Sequence, residues 1–220
     1  MKPKLIRAFR KKLNNNCIGI FSKTTDSSII EIIGHSDFDF TILDNEHGYL
    51  SYESLLNHIR AAENLNLLPI VRTPNNSCEH IGKALDIGAY GVQVPNITTK
   101  KQVEELVKFA KFSPLGNRGV CKFVRSAEFT NLDKFDYFKS ANNALIIIQI
   151  EGVEGIKNLD EILSVKGIDI LFVGPYDLSQ SLGLTGEISH PEVINTMTKI
   201  IDKAKSKNIM VGTFCDTFES

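Results

Sequence analysis

Apolar positions along this chain follow two alternating rhythms. Short runs rich in Val, Ile, Leu and Phe predict strands at Cys17–Phe21, Phe38–Leu43, Leu67–Val71, Gly91–Val94, Leu145–Ile150, Ile168–Val173 and Ile209–Thr213. Between them apolar residues recur at helical spacing. That spacing predicts helices at Ser27–Gly34, Ser51–Asn64, Ser77–Ile87, Lys100–Lys111, Leu132–Ala141, Gly155–Leu163 and Pro191–Ser206. Boundary residues agree with this division. Thr98 or Thr99 opens one helix, His190-Pro191 places Pro in the first turn of another, and Gly34 and Gly88 stand where helices should stop. Runs such as Ala144–Ile148 are apolar throughout rather than alternating, which marks strands buried on both faces of a parallel sheet.

Seven strands of this βα type leave two architectures, a doubly wound open sheet or a (β/α)8 TIM-type barrel. No GxGxxG follows the first strand, so the dinucleotide-binding form of the open sheet loses support. The longest irregular stretch, residues 112–130, is long enough for a working loop on the active-site side. An eighth βα unit would need roughly 30 residues more than the chain supplies after its seventh strand. The expectation is one barrel domain over residues 1–220 that lacks its last unit, with an N-terminal helix within residues 1–14.

Composition narrows the function. At 220 residues, 42% hydrophobic and 23% charged, the chain has the make-up of one globular domain. A formal charge of -1 gives no electrostatic footprint for nucleic acid. No apolar run approaches the roughly 20 residues of a membrane span. The N-terminal segment is basic, with no acid before Asp26, but it has neither an apolar core nor a small-residue cleavage site. Leu5, Ile6, Phe9 and Leu13 predict a short amphipathic helix lying on the domain, with a targeting segment or an anionic-surface anchor as the alternative. Cys17, Cys78, Cys121 and Cys215 are widely spaced, with no CxxC pair and no Cys/His cluster. Free thiols in a reducing cytoplasm are the expectation.

In a barrel, chemistry gathers at the C-terminal ends of the strands. Strand two ends in Asp44-Asn45-Glu46-His47 and strand three in Arg72. Strand five ends in Gln149 and Glu151, and strand six runs into Gly174-Pro175-Tyr176-Asp177. The N-terminal ends offer nothing comparable. Each residue also has a structural reading. His47 can be a turn residue, Asp177 the N-cap of a helix at Leu178–Leu182, Glu151 a first-turn acid, and Arg72 half of an ion pair. Their joint occurrence at successive strand ends favours a site. Two carboxylates with no Cys or second His nearby suit Mg²⁺ or Mn²⁺ rather than a structural zinc. Such a metal acts as a Lewis acid on a keto oxygen. Arg72 would add a fixed cation, and His47 a base suited to neutral pH.

These residues carry a resemblance. Residues 38–47, Phe-Asp-Phe-Thr-Ile-Leu-Asp-Asn-Glu-His, resemble the strand-two signature of the HpcH/HpaI aldolases. Val71-Arg72, Leu85-Asp86-Ile87-Gly88, Arg118-Gly119-Val120, Gln149-Ile150-Glu151 and the run Phe172–Ser179 follow in order. The matches extend from about Ile18 to Thr213. The resemblance implies a (β/α)8 barrel, assembly as trimers or hexamers, and metal-dependent class II pyruvate aldolase chemistry with Mg²⁺, Mn²⁺ or Co²⁺. It implies Glu151 and Asp177 as metal ligands and Gln149 as support for the bound oxo acid. Backbone N–H groups around Gly174 and Tyr176 would meet the oxo acid's carboxylate. Arg72 would face the oxo oxygen and His47 would do acid–base work. Asp44 and Asp86 would support the histidine and the subunit contact, and Phe21 would line the aldehyde side. The family continues with a further strand and a C-terminal helix, so oligomer formation is tied to that segment. His47-Gly48-Tyr49 departs from the His-Ala-Pro of several sugar-acid aldolases, so their substrates do not carry over.

The expected function is retro-aldol cleavage of a 4-hydroxy-2-oxo acid to pyruvate and an aldehyde. No lysine stands at a strand end, since Lys23 and Lys122 fall in loops, which argues against a Schiff-base mechanism. The alternatives are oxaloacetate decarboxylation at the same site and a non-catalytic, truncated barrel.

Overall fold

A computed structural model describes residues 3–13 and 15–217 of the chain. Its helices are α1 (Pro3–Lys12), α2 (Ser28–Gly34), α3 (Tyr52–Asn64), α4 (Cys78–Asp86), α5 (Lys100–Ala110), α6 (Lys134–Ala141), α7 (Val153–Lys157), α8 (Leu159–Ile162), α9 (Pro175–Ser181) and α10 (Pro191–Ser206). Its strands are β1 (Gly19–Ser22), β2 (Phe40–Asp44), β3 (Leu68–Arg72), β4 (Gly91–Val94), β5 (Leu145–Ile150), β6 (Ile170–Val173) and β7 (Met210–Thr213), in sequential sheet order. The registered pairs are parallel, as fully apolar strands require. The fold is therefore α/β with a parallel sheet. By its contacts the chain divides into two compact units, Met1–Gln93 with Leu106–Leu145, and Val94–Glu105 with Ile146–Ser220.

In the first unit, β1 to β4 pair in succession, and Asp44 lies opposite Arg72 at the ends of β2 and β3. That register puts the two side chains of interest side by side. The N-terminal helix lies where the basic amphipathic segment predicted it, with residues 1, 2 and 14 outside the described residues. Ile6 and Phe9 are buried, and the Phe9 ring meets Phe40 edge-on at 5.7 Å. α4 ends as predicted, with Gly88 at φ +103 and its N–H donating to the Leu85 carbonyl. α2 also ends as predicted, at Gly34, and this glycine has a packing role. His35 caps α2 in a right-handed conformation, and a Cβ on Gly34 would lie 2.7 Å from the Leu65 side chain. Close packing of α2 on α3, not chain reversal, selects that glycine.

The 112–130 stretch is more ordered than its irregular sequence predicted. A 3-10 turn covers Arg125–Thr130, and Phe112, Ala127, Tyr137 and Ala141 form a buried cluster beneath it. Phe112 meets the rings of Tyr137 and Phe138 at 5.6 and 5.0 Å, and the Arg118 guanidinium lies 4.8 Å from its ring centre. Arg125 and the Tyr90 hydroxyl both donate to the buried Glu63.

In the second unit, β5, β6 and β7 pair in parallel. The helix predicted over Gly155–Leu163 is two short helices, because the chain turns at Asn158, whose side-chain amide donates to the Thr98 carbonyl at 2.8 Å. Thr99 and Gln102 exchange hydrogen bonds in a capping box that starts α5. Among the described residues, no helix is long and apolar enough to cross a membrane.

Phe112 is the keystone of the loop cluster. Phe112→Ala should cost about 3–5 kcal/mol of stability in urea denaturation, the usual range for a buried ring. The loss should be accompanied by faster amide exchange across 112–130.

Candidate active site

The first group of site residues is built on a single turn. Asp44 ends β2 with its side chain fully buried, and its Oδ1 accepts from the backbone N–H groups of Glu46 at 3.1 Å and His47 at 3.3 Å. The Asn45 N–H donates to the Arg72 carbonyl at 2.9 Å, tying the turn to β3. Gly48 closes the turn so tightly that a Cβ there would lie 2.1 Å from the Asp44 carbonyl oxygen. Only glycine permits that approach.

Arg72 is held on three sides. Its Nε donates to Asp44 Oδ1 at 2.8 Å and its Nη2 to Asp44 Oδ2 at 2.7 Å, a planar two-bond clasp. Its Nη1 lies 2.9 Å from Glu46 Oε2. The Phe21 ring covers it, with 5.0 Å between ring centre and guanidinium carbon. Lys23 adds a cation 3.6 Å from Asp44 Oδ2. The guanidinium is thus fixed before any ligand arrives.

Burial alone would push the Asp44 carboxyl up. The hydrogen bonds and charge of Arg72, with the N–H groups of His47 and Glu46, outweigh it and hold the carboxyl below the usual carboxylate range.

His47 and Asp86 have partners of their own. The His47 side chain is 58% exposed, and the carboxylate nearest its Nε2 is Glu46, at 3.9 Å. Asp44 meets His47 through the backbone N–H, while both its carboxylate oxygens face Arg72. Asp86, at the end of α4, pairs with the buried Arg118. Glu46 was visible in the Asp44–His47 run, but nothing in the sequence shows which of two nearby carboxylates faces an imidazole. Arg118 carried a family match without a role, and its partner depends on tertiary placement.

The second group lies in the other unit. Gln149 and Glu151, at the end of β5, are both buried. Gln149 Nε2 donates to Glu151 Oε2, and the Asn96 backbone N–H, at φ +55, donates to Oε1 at 2.8 Å. Gly174 follows β6. A Cβ there would come within 2.8 Å of Glu151 Oε2 and 3.3 Å of Gln149 Nε2. The glycine keeps the space beside this carboxylate clear. Pro175 starts α9 after Gly174, so Asp177 sits exposed in the first turn rather than serving as the N-cap of a helix at Leu178–Leu182. The Tyr176 hydroxyl donates to Asp216 at 2.6 Å, a bond that holds its pKa above the ordinary tyrosine value.

Among the described residues, no group of three or more His, Cys, Asp or Glu side chains is arranged to hold a metal ion. Of the two carboxylates that the resemblance implied as ligands, Glu151 is buried and Asp177 is exposed. The Glu151 carboxylate, beside space kept open by Gly174, has the hard oxygen chemistry that an oxygen-preferring divalent ion takes.

The fold and these residues define an α/β enzyme with carboxylates and a fixed cation at its strand ends. The chain belongs to the HpcH/HpaI aldolase/citrate lyase family, whose sequence profile matches residues 17–219. It is 33% identical over 215 residues to the hydroxypyruvate/pyruvate aldolase of Roseobacter denitrificans (strain ATCC 33942 / OCh 114), covering 94% of this chain and 84% of that protein. It is 35% identical over 190 residues to the 5-keto-4-deoxy-D-glucarate aldolase of Escherichia coli O157:H7 (strain EC4115 / EHEC), covering 86% of this chain and 73% of the relative. The crystal structure of an HpcH/HpaI aldolase/citrate lyase family protein from Burkholderia cenocepacia J2315 superposes with a TM-score of 0.88 at 30% identity, covering 94% of this chain and 84% of the other. The protein is therefore a lyase of the aldolase type, in a family of metal-dependent class II enzymes.

The Asp44–Arg72 clasp gives a pH-dependent stability. Because the folded-state pKa of Asp44 is depressed, the pair's stabilisation is fully present above the unfolded value of about 4 and is lost as pH falls through the folded value. Asp44→Asn should cost about 3–5 kcal/mol at pH 7, the range for breaking a buried pair. The gap from wild type should shrink in denaturation measured below about pH 4.

Proposed function

We propose that this protein cleaves, and in reverse forms, the C3–C4 bond of a 4-hydroxy-2-oxo acid, giving pyruvate and an aldehyde. The proposed scaffold is the single (β/α)8-type barrel domain of its family, in an assembly of trimers or hexamers. The observation that carries the reading is the pre-set Arg72 guanidinium, clasped by Asp44, met by Glu46 and covered by Phe21. A cation fixed in this way stabilises a developing enolate without reorganising at the moment of reaction.

In this reading Glu151 and Asp177 hold the divalent metal, with Mg²⁺, Mn²⁺ and Co²⁺ as candidates. When bound, the metal supplies Lewis-acid polarisation of the oxo group. Gln149, Gly174 and Tyr176 position the oxo acid, with backbone N–H groups toward its carboxylate. His47, directly or through a water, takes the proton of the 4-hydroxyl. The C4–O bond becomes the aldehyde carbonyl, and the C3–C4 electron pair moves into the oxo acid fragment as its enolate. Arg72 faces the enolate oxygen until C3 is protonated. Asp44 fixes Arg72 and the His47 backbone, Asp86 serves the subunit contact, and Phe21 lines the aldehyde side. The family relationship, the carboxylate pair and the fixed cation support this assignment.

Two measurements test it. Pyruvate release from 4-hydroxy-2-oxo acids should stop in excess chelator and return on adding Mg²⁺, Mn²⁺ or Co²⁺. Glu151→Ala and Asp177→Ala should lose both turnover and metal binding by calorimetry. Full activity in chelator, or turnover of oxaloacetate alone, would overturn the reading.

Arg72→Lys keeps the charge but loses the planar fork. It should lower kcat by about 10²–10³-fold, the range for loss of an oxyanion donor. It should also slow proton exchange at the methyl group of pyruvate, a reaction that needs the enolate but no aldehyde. Exchange at the wild-type rate would place Arg72 outside the reaction.

A further inference from the structure

The strand ends of the second unit carry a pair of aromatic rings that have no task in the proposed reaction. Tyr176 stands in the first turn of α9, and Phe214 is the first residue after β7. Their ring centres lie 6.3 Å apart with a 58° tilt. The register of β6 on β7 sets Val173 beside Thr213, so the two segments leave the sheet side by side. The Tyr176 hydroxyl donates to Asp216 at 2.6 Å, which ties the segment after β7 to α9. Packing does not consume these residues. Tyr176 remains 46% exposed and Phe214 40%.

We propose that the rings of Tyr176 and Phe214 form a subsite for the aldehyde half of the substrate, and that this subsite selects an uncharged, apolar aldehyde, an aryl aldehyde above all. The proposal rests on the retro-aldol reading given above and names the substrate class for it. Three features support it.

The first is position. α9 begins beside the candidate metal ligands, since Gly174 borders Glu151 and Asp177 follows Tyr176. The Tyr176 backbone is assigned to the carboxylate of the oxo acid. Its side chain is free of that duty, and its bond to Asp216 carries the ring from the start of α9 toward the end of β7. The ring is thereby left for the part of the substrate beyond the oxo carbon.

The second is the surface these residues present. The Tyr176 hydroxyl proton is committed to Asp216, so the phenol offers chiefly its ring. Two tilted rings at this separation form a corner, and a third ring enters such a corner through edge-to-face or offset contact. A hydroxylated chain in the same place would give up water without gaining hydrogen bonds.

The third is charge. No Lys or Arg stands in residues 145–156, between Lys166 and Lys199, or in residues 208–217. The ends of β5, β6 and β7 therefore offer carboxylates, those of Glu151, Asp177 and Asp216, and no cation from the same segments. Asp216 is bonded to Tyr176 itself, so an anionic tail laid on the ring pair would meet like charge.

The experiment measures aldol addition of pyruvate to benzaldehyde, 4-carboxybenzaldehyde and glycolaldehyde by the Mg²⁺- or Mn²⁺-loaded enzyme at low ionic strength. Saturation-transfer NMR on benzaldehyde gives a second readout, of binding alone. The first two aldehydes share a ring and differ in charge, and the third is neutral and polar. Wild type should favour benzaldehyde over each of the others by at least about 10-fold in kcat/KM, the lower end for contacts with an apolar pocket. Phe214→Ala should reduce the preference over glycolaldehyde by about 10-fold and weaken the NMR signal of the aldehyde ring. Phe214→Leu should fall between the two, and it carries the comparison if Phe214→Ala does not fold. Asp216→Asn should raise kcat/KM for 4-carboxybenzaldehyde by up to about 5-fold, the range for an exposed charge.

An equal fall for all three aldehydes in Phe214→Ala, a wild-type preference for 4-carboxybenzaldehyde or glycolaldehyde, or no response to Asp216→Asn would overturn the proposal. So would wild-type exchange of the pyruvate methyl protons without addition to any of the three, because that exchange needs no aldehyde. If wild type shows neither exchange nor addition, the retro-aldol reading itself fails first, so the two failures are distinguishable.

Discussion

The two-bond clasp between Asp44 and Arg72 is the constraint on which the first group of site residues depends. Parallel register sets the two residues opposite each other at the ends of β2 and β3. Both are nearly removed from water, where either charge alone would be strongly unfavourable. Pairing satisfies both, and its geometry settles more than charge. Asp44 also accepts two backbone N–H groups of the following turn, so the side chain that fixes the guanidinium also shapes the segment carrying Glu46 and His47. One buried carboxylate thus orders a cation, a turn and two further ionisable groups.

The second group uses vacancy rather than charge pairing. Gln149 lies in a strand whose residues are all buried and Glu151 follows it, also buried, so their polar ends are permitted only with partners. Each bonds the other, and Asn96 adds a backbone donor from a left-handed turn. Gly174 contributes by what it lacks. Any side chain there would press on the Glu151 carboxylate. Local backbone chemistry, Gly-Pro at the start of α9, leaves this carboxylate approachable while the residues on either side remain packed.

Much of this was legible in sequence because it follows from local rules. The all-apolar run at residues 144–148 marked a parallel, doubly covered strand, and Gly88 marked a helix end through a backbone angle that few other residues adopt. The ordered matches around Asp44, Arg72, Glu151 and Asp177 pointed to the family. What stayed hidden depends on partners distant in sequence. Asn158 divides a helix because its amide finds a carbonyl 60 residues away. Gly34 stands where α2 stops, as expected, but the room it makes for Leu65 could not be read locally. The alternative reading of Asp177 as a cap fails because the preceding Gly-Pro starts the helix first. The choice of Glu46 rather than Asp44 as the carboxylate near the imidazole is set by Arg72, which occupies both oxygens of Asp44. Strand-end residue types are local information, but the division of contacts among them is not.

Phe21 gives the arrangement its room for change. It covers the guanidinium with a carbon surface and takes no part in the ionic frame beneath it. Residue 21 can therefore grow, shrink or change shape while the salt bridges at Asp44 and Glu46 keep their geometry. The frame is conservative by construction, since replacing any of its charges strands another. Its roof is free to drift. Exchanges at this one neutral position would reshape the surface above the guanidinium while the carboxylates beneath continue to set its plane.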